Sequence, residues 1–374
     1  MKNIKVAVLG TRGFPGVQGG VEAHCEKLYP RLASLGCDVT VFTRAPYVDT
    51  GIGEYKKVRL AALTCPRSKN FEAIIHTVKG IFAAGKMRPD ILHIHAIGPS
   101  LLVPLAKLLG LRVVMTNHGP DYKRKKWNFI ARFALRMGER MGSRFADGVI
   151  CISEKIGRDI RIRYGRDADV IPNGVEAPVI LRSEEALKKY SLTGGRYILT
   201  VGRFVPEKGF DYLIDAFAMA SPEGWKLVIA GDADHEDRYS RALKKKAAGR
   251  KDVVLTGFLK GRDLGELYSR AGLFVLPSYY EGLPIALLEA MSYGLSCVAS
   301  AIDANREVPL PGGRYFAAGD TGALAGKIRE FTARPFSGEE SLSERKTVLE
   351  KYDWDVIAGK TLEVYRRISG GRNV

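Results

Sequence analysis

The sequence predicts two doubly wound α/β domains, and three observations lead there. At 374 residues the chain exceeds the size at which one hydrophobic core usually keeps growing, so two domains of about 100 to 200 residues each are expected. Short β-branched apolar runs alternate with helix-length segments almost from end to end. Near the middle, IPNGVEAPVILRS at 171–183 breaks that rhythm with two prolines, an Asn-Gly turn and no clear periodicity.

The elements follow in order. In the first half the runs are IKVAVLG, DVTVFT, ILHIHA, RVVMTNH, DGVICIS and ADVIPNG, each followed by a helical or turn segment. The second half has RYILTVG, WKLVIAG, DVVLTG, LFVLPS and LSCVAS. Runs that are apolar on both faces suit parallel strands covered by helices on either side. From about Asp353, WDVIAGKTLEVYRRI reads as an amphipathic helix able to cap either domain.

Composition narrows the function classes. With 46% hydrophobic and 26% charged residues the chain can bury a core in each domain, which excludes a disordered protein. The opening MKNIKVAVLG runs straight into a strand without a leader's apolar region, and no apolar run approaches the roughly 20 residues that span a bilayer. The five cysteines are scattered and lack CxxC spacing, so they read as core thiols of a reducing compartment. A cytoplasmic protein is expected. Its charge is lopsided: residues 1–172 hold 29 Lys and Arg against 14 Asp and Glu, and residues 173–374 hold 29 against 27. The first half therefore faces something anionic. No RRM, KH or zinc signature supports nucleic acid as that partner.

The loop GTRGFPGVQGGVEAHCEKL lies between the first strand and a helix. Its glycines stand at 10, 13, 16, 19 and 20, so the dinucleotide fingerprint, in which the helix starts almost at once, is absent. The loop reads either as a mobile surface segment or as a ligand loop in which Gly19 and Gly20 bring backbone amides to an anion at the helix start, beside Glu22. His95 and His118 end the runs ILHIHA and RVVMTNH. That places them at the sheet edge where ligands bind in open α/β folds, although either could be a packed core residue.

In the second half, VGRFVPEKGFDYLIDAF puts Arg203 and Lys208 at the corresponding edge. A fork donor and a point-charge donor suit a diphosphate; the competing reading is a local ion pair of Lys208 with Glu207. The stretch PSYYEGLPIALLEAMSYG then sets Glu281 in a turn and Glu289 in an apolar helix. Pro284 fits the first helical position, where its missing N–H costs nothing, and the amides after it form an anion site. Two acids eight residues apart, about 12 Å along a helix, suit a sugar hydroxyl and a ribose with a diphosphate between. A helix-start acid plus a buried structural acid is the alternative.

Taken together, Glu281 and Glu289 in E-x7-E, Arg203 and Lys208 in VGR…KG, GGVE, TNHG, CISE and VIPNGVE resemble the retaining glycosyltransferases of family 4, over nearly the whole chain and in the same order. GTRGFP…GG resembles bacterial enzymes that build surface polysaccharides. The resemblance implies the two-domain GT-B fold, with two Rossmann-like domains facing across a cleft and the last helix crossing back. The first domain would be 1–172 plus about 358–374 and bind acceptor; the second, 173–357, would bind donor. It further implies that Glu281 binds donor-sugar hydroxyls, Glu289 the ribose, Arg203 and Lys208 the diphosphate, and His118 the neighbourhood of the reacting sugar. Amides of Gly19, Gly20, Gly282 and Leu283 would add phosphate and sugar contacts, with Glu22 and His95 on the acceptor side or in the loop.

The expected activity is sugar transfer from a nucleotide-diphosphate sugar to a glycan or lipid-linked acceptor, with no metal or other cofactor. A nucleotide-sugar epimerase of the same fold and a non-catalytic sugar-nucleotide-binding protein are the alternatives. LVIAGDADHED departs from the family pattern by lacking a glycine pair, and its Asp232 and Asp234 form a D-x-D; Asp167 and Asp169 show how cheap that spacing is. Finally, Asp121–Arg144 holds eight basic residues and two acids. Arg132, Arg136, Arg140 and Arg144 form one helical ridge, with Trp127, Ile130, Ala134, Met137 and Met141 on the apolar face. An anionic membrane is the expected partner, placing the protein on the inner face of the membrane.

Overall fold

Valine- and isoleucine-rich runs pair side by side into two separate sheets. The computed structural model describes residues 3–66, 72–123, 128–233, 236–334 and 336–370, and the chain forms two compact units, Met1–Gly174 with Trp354–Val374, and Val175–Asp353.

The first unit carries eight strands: β1 (Lys5–Leu9), β2 (Asp38–Arg44), β3 (Glu54–Tyr55), β4 (Val58–Leu63), β5 (Ile91–His95), β6 (Val113–Asn117), β7 (Gly148–Cys151) and β8 (Asp169–Val170). They lie in the order β3-β4-β2-β1-β5-β6-β7-β8, parallel throughout except for the β3–β4 pair. From β1 the chain moves outward to β2 on one side and returns to β5 on the other. That reversal opens a crevice beyond the carboxyl ends of β1 and β5. β3 and β4 are absent from the expected runs, for a physical reason. They sit at the sheet edge, where only Val58 is buried and the rest alternate between half-buried and exposed, so no two-faced apolar stretch marks them.

The second unit repeats the plan with β9 (Tyr197–Val201), β10 (Lys226–Ala230), β11 (Val253–Gly257), β12 (Leu273–Leu276), β13 (Cys297–Ser300) and β14 (Tyr315–Phe316). The order β11-β10-β9-β12-β13-β14 is that of a dinucleotide-binding sheet, with its reversal between β9 and β12.

The helix Trp354–Ser369 joins the first unit. Trp354, Ile357, Leu362, Val364 and Tyr365 are buried in one core with Val6, Val8, Leu28, Tyr29 and Leu32, and Arg31–Asp355 and Arg367–Asp169 ion pairs fasten its rim. Phe204, Phe210, Leu213, Phe217, Ile229, Leu273 and Val298 centre the second core. Cys25, Cys37, Cys151 and Cys297 are buried free thiols and Cys65 is half-buried. Among the described residues no helix is long and apolar enough to cross a membrane.

The basic segment forms the helix Phe129–Phe145, capped by the Asn128 side chain accepting from Ala131 N at 2.9 Å. It packs through Gly138, Glu139, Gly142 and Ser143, while Arg132, Arg136, Arg140 and Arg144 form the expected exposed ridge. One expectation fails. Ile130 is 74% exposed, beside Phe129 at 84% and Phe133 at 59%, because the close-packed small residues lie in the helix's second half and its first turns stand clear. Arg124 to Trp127 and the side chain of Lys123 lie outside the described residues.

Candidate active site

The first unit gathers histidines at its strand reversal. His95 ends β5 fully buried, and His118, one residue past β6, is half-buried. His95 Nδ1 and His118 Nε2 are 2.9 Å apart, and His95 Nε2 meets Tyr29 Oη at 2.5 Å. A neutral imidazole carries one N–H, so His95 donates through one nitrogen and accepts at the other, which sets the tautomer of His118. Behind them, His93 Nδ1 lies 2.6 Å from Tyr365 Oη and its Nε2 lies 2.7 Å from Thr116 Oγ1. Burial, reinforced by the neighbouring rings, lowers His93 to about 3 and holds His95 and His118 well below the ordinary histidine range. These rings are neutral at pH 7 and able to relay hydrogen bonds. Asn117 anchors the turn by accepting from Gly119 N at 2.8 Å and donating to the buried Glu139 at 3.2 Å.

The loop Gly10–Gly19 lies at the same edge. Gly19 has φ of 148° and caps the helix Gly20–Ser34; a Cβ there would meet Glu22 Oε2 at 2.0 Å, whereas at Gly20 it would meet open space. Glu22 is turned inward. Its Oε1 accepts from Arg12 N at 3.1 Å and Arg12 Nε at 3.2 Å, and Arg12 also donates to the Gln18 carbonyl. The loop is thereby folded back on its own helix.

In the second unit the loops after β9 and β12 are tied together. Tyr279 N donates to the Glu207 carbonyl at 2.8 Å, and Tyr212 Oη donates to the Pro277 carbonyl. Gly209, at φ of 64°, turns the chain from the short Pro206–Lys208 helix into the helix Phe210–Ala220. A Cβ there would strike the Pro277 oxygen at 2.5 Å. Lys208 Nζ then reaches Glu281 Oε1 at 2.6 Å, and Ser278 Oγ donates to the same oxygen at 2.6 Å. Lys208 is thus paired with Glu281 and not with its neighbour Glu207. Ser278 is fixed in turn by Ser300 Oγ, which donates to its carbonyl at 2.5 Å and itself accepts from Asn305 Nδ2 at 3.0 Å.

Pro284 stands at the N-cap, not at the first turn, of the helix Ile285–Ser292. Glu281 to Pro284 are therefore not helical, and the 12 Å helical spacing of the two acids does not apply. Gly282 is half-buried and Leu283 buried before that helix start. Glu289, one turn in, is half-buried and accepts from Tyr268 Oη at 3.0 Å. Arg203 is half-buried at the carboxyl edge.

Sequence reasoning missed His24, Tyr29, Asn173 and Ser278. His24 lies one helical turn beyond Gly20, a spacing that stacks both on one helix face; Ser278 lies three residues before Glu281. Both signals were available. Tyr29 and Asn173 join the group only through pairing across 66 and 149 residues. The two D-x-D patterns are occupied otherwise: Asp232 pairs with Lys244, Asp167 with Arg161 and Asp169 with Arg367. Asp234 lies outside the described residues.

Residues 18–177 match the model of Glycosyltransferase Family 4, and residues 183–347 match that of Glycosyl transferases group 1. Alpha-maltose-1-phosphate synthase of Mycolicibacterium smegmatis is 29% identical, over 98% of this chain and all of that one. Sucrose-phosphate synthase from Thermosynechococcus elongatus has a similar fold, with a TM-score of 0.85 at 23% identity over 99% of this chain and all of that one. So does Anabaena HepE in complex with UDP and glucose, with a TM-score of 0.78 at 19% identity, covering 97% of this chain and 99% of that one. With a family 4 domain on one strand reversal and a group 1 domain on the other, the chain belongs to the glycosyltransferases of the GT-B fold.

Proposed function

We propose that the protein is a retaining, metal-independent transferase. It moves a sugar from a nucleotide-diphosphate sugar to a glycan or lipid-linked acceptor at the inner face of the membrane, in bacterial cell-surface polysaccharide synthesis. The observation that carries this reading is the Lys208–Glu281–Ser278 contact at the β9/β12 reversal. It holds a cation and a carboxylate side by side, a diphosphate donor next to a sugar-hydroxyl acceptor. A solved relative in fold holds UDP and glucose.

In this reading Glu281 accepts hydrogen bonds from sugar hydroxyls and Glu289 from the ribose. Lys208 has three N–H groups and keeps one on Glu281 while the others meet the diphosphate with Arg203. The amino-terminal end of the helix Ile285–Ser292, with the amides of Gly282 and Leu283, and of Gly19 and Gly20 in the first domain, adds positive potential. As the anomeric C–O bond breaks, its electrons pass to the leaving phosphate oxygen, whose growing charge these oriented groups stabilise. The acceptor hydroxyl attacks the oxocarbenium-like carbon on the same face and gives its proton to that oxygen. Configuration is retained without a protein nucleophile. Neutral His118 hydrogen-bonds near the reacting sugar in an orientation set by His95.

The membrane part of the proposal rests on exposed Phe129, Ile130 and Phe133 beside four exposed arginines. Apolar side chains there would enter the headgroup boundary while arginines meet anionic lipid. A screen of UDP-, GDP- and dTDP-sugars for acceptor-dependent nucleotide release, with NMR of the product's anomeric centre, tests the activity. An inverted product, or no release with any donor, would refute it.

A further inference from the structure

We propose that His24, His95 and His118 form a binding site for a zinc-class transition-metal ion. One ligand atom from each of the three side chains lies within 4.8 Å of the other two. The rings form a nearly equilateral triangle, with centroids 5.5 Å apart for His24–His95, 5.0 Å for His24–His118 and 5.2 Å for His95–His118. Tetrahedral zinc with Zn–N bonds of about 2.0–2.1 Å sets its ligands about 3.3 Å apart. Small ring rotations bring the triangle to that size, at the cost of the His95–His118 hydrogen bond.

The outward nitrogens make the case specific. Metal-bound histidines bond through the second nitrogen to a fixed acceptor that orients the ring. Here His24 Nδ1 lies 2.8 Å from Asn173 Oδ1, and His95 Nε2 lies 2.5 Å from Tyr29 Oη. That leaves His24 Nε2 and His95 Nδ1 for the centre, together with His118 Nε2, which lies 2.9 Å from His95 Nδ1. Three imidazoles without a carboxylate favour zinc, copper, nickel or cobalt over magnesium or calcium, which take oxygen ligands. With three protein ligands, a fourth position stays open to water or an anion.

The consequence for activity rests on the function proposed above. An ion on His118 withdraws it from the reacting sugar, so zinc inhibits transfer and a chelator restores it. Such an ion is distinct from one neutralising the diphosphate, which would stimulate.

The test is titration of the chelator-treated, full-length protein with Co2+ by visible absorbance and with Zn2+ by calorimetry. One equivalent of either ion, with a tetrahedral cobalt spectrum, is expected. His24→Gln should weaken affinity at least tenfold, whereas His76→Gln, at a buried histidine of the same domain outside the triangle, should leave it unchanged. Should His24→Gln fail to fold, imidazole 15N shifts of the unaltered protein decide, because coordination moves one nitrogen of each of the three rings. No binding, binding unchanged in folded His24→Gln, or unmoved 15N signals would overturn the site. Stoichiometric binding that leaves transfer intact would support the site and instead remove His118 from the reaction.

Discussion

Replacing Lys208 by alanine perturbs the second domain at one point whose partners are known. Its ammonium is 2.6 Å from Glu281 Oε1, with the two side chains 20% and 11% exposed. The substitution removes the proposed donor to the diphosphate and leaves the Glu281 carboxylate with the Ser278 hydroxyl. Loss of one preorganised donor costs roughly 2 to 4 kcal/mol of transition-state stabilisation, or about thirty- to a thousandfold in kcat/KM at 1.36 kcal/mol per factor of ten. Glu281→Gln, which removes the charge and keeps the shape, should cost about a hundredfold, with kcat falling more than donor KM rises. Independent residues would make the double variant lose the sum of both, about 5 to 7 kcal/mol. Because Lys208 and Glu281 share a proton contact, the double variant should lose little more than the worse single. The neutral amide it carries in place of the carboxylate leaves no uncompensated charge beside the phosphates. Steady-state nucleotide release over a donor series, with melting curves to show that each variant is folded, supplies the three values. Strict additivity, or full activity in either single variant, would refute the reasoning.

Glu289→Gln should raise donor KM with little change in kcat, because a ribose contact is made equally before and during bond breaking; a fall in kcat alone would contradict it. Transfer should survive excess EDTA, since the proposed diphosphate clamp is built from fixed protein groups. Loss of activity with full rescue by manganese would point instead to a metal-bound diphosphate. The helix Phe129–Phe145 should bind anionic but not neutral vesicles at low salt, each arginine contributing about 1 kcal/mol, and Phe129→Ser with Phe133→Ser should weaken it. Equal flotation with both lipids would exclude that surface. In EDTA the protein should lose stability as pH falls below about 6.5, the unfolded histidine value. Burial lowers His24 and His76 to about 4 and His93 to about 3, so across that window the unfolded chain binds more protons and acid favours it. By pH 5 each ring costs about 2 kcal/mol; urea titrations from pH 7.5 to 4.5 should show it, and a flat profile would refute it.

Much of this fold is written locally. The runs that become β1, β9 and β12 are apolar on both faces, β5 is buried on both although His93 and His95 share one of them, and the residues following these strands reach the sheet edge because strand order requires it. Partnerships are written less plainly. Lys208 has an acid beside it in the chain, yet its partner stands 73 residues away, brought there by the adjacency of β9 and β12. His95 sits at an edge that periodicity finds, but nothing local announces that Tyr29 and His118 close on it from the helix after β1 and the turn after β6. Pro284 illustrates the opposite limit: either of two neighbouring positions at a helix start accepts a residue without an N–H, and only the backbone decides.

The core of the first unit is assembled from two stretches of chain made at different times. Gly174 ends one, with the ring of Trp354 so close that an added Cβ would meet it at 2.5 Å, and Trp354 begins the other. Between them a ribosome must make all of Val175–Asp353, which at about 5–20 residues per second takes roughly ten to forty seconds. Throughout that delay Leu28, Tyr29, Leu32 and His93 lack the helix that covers them, whereas the second unit emerges whole. The later-made half has its whole chain before the earlier-made half does, and until the last helix arrives the nascent amino-terminal half presents apolar surface that its own sequence will later cover.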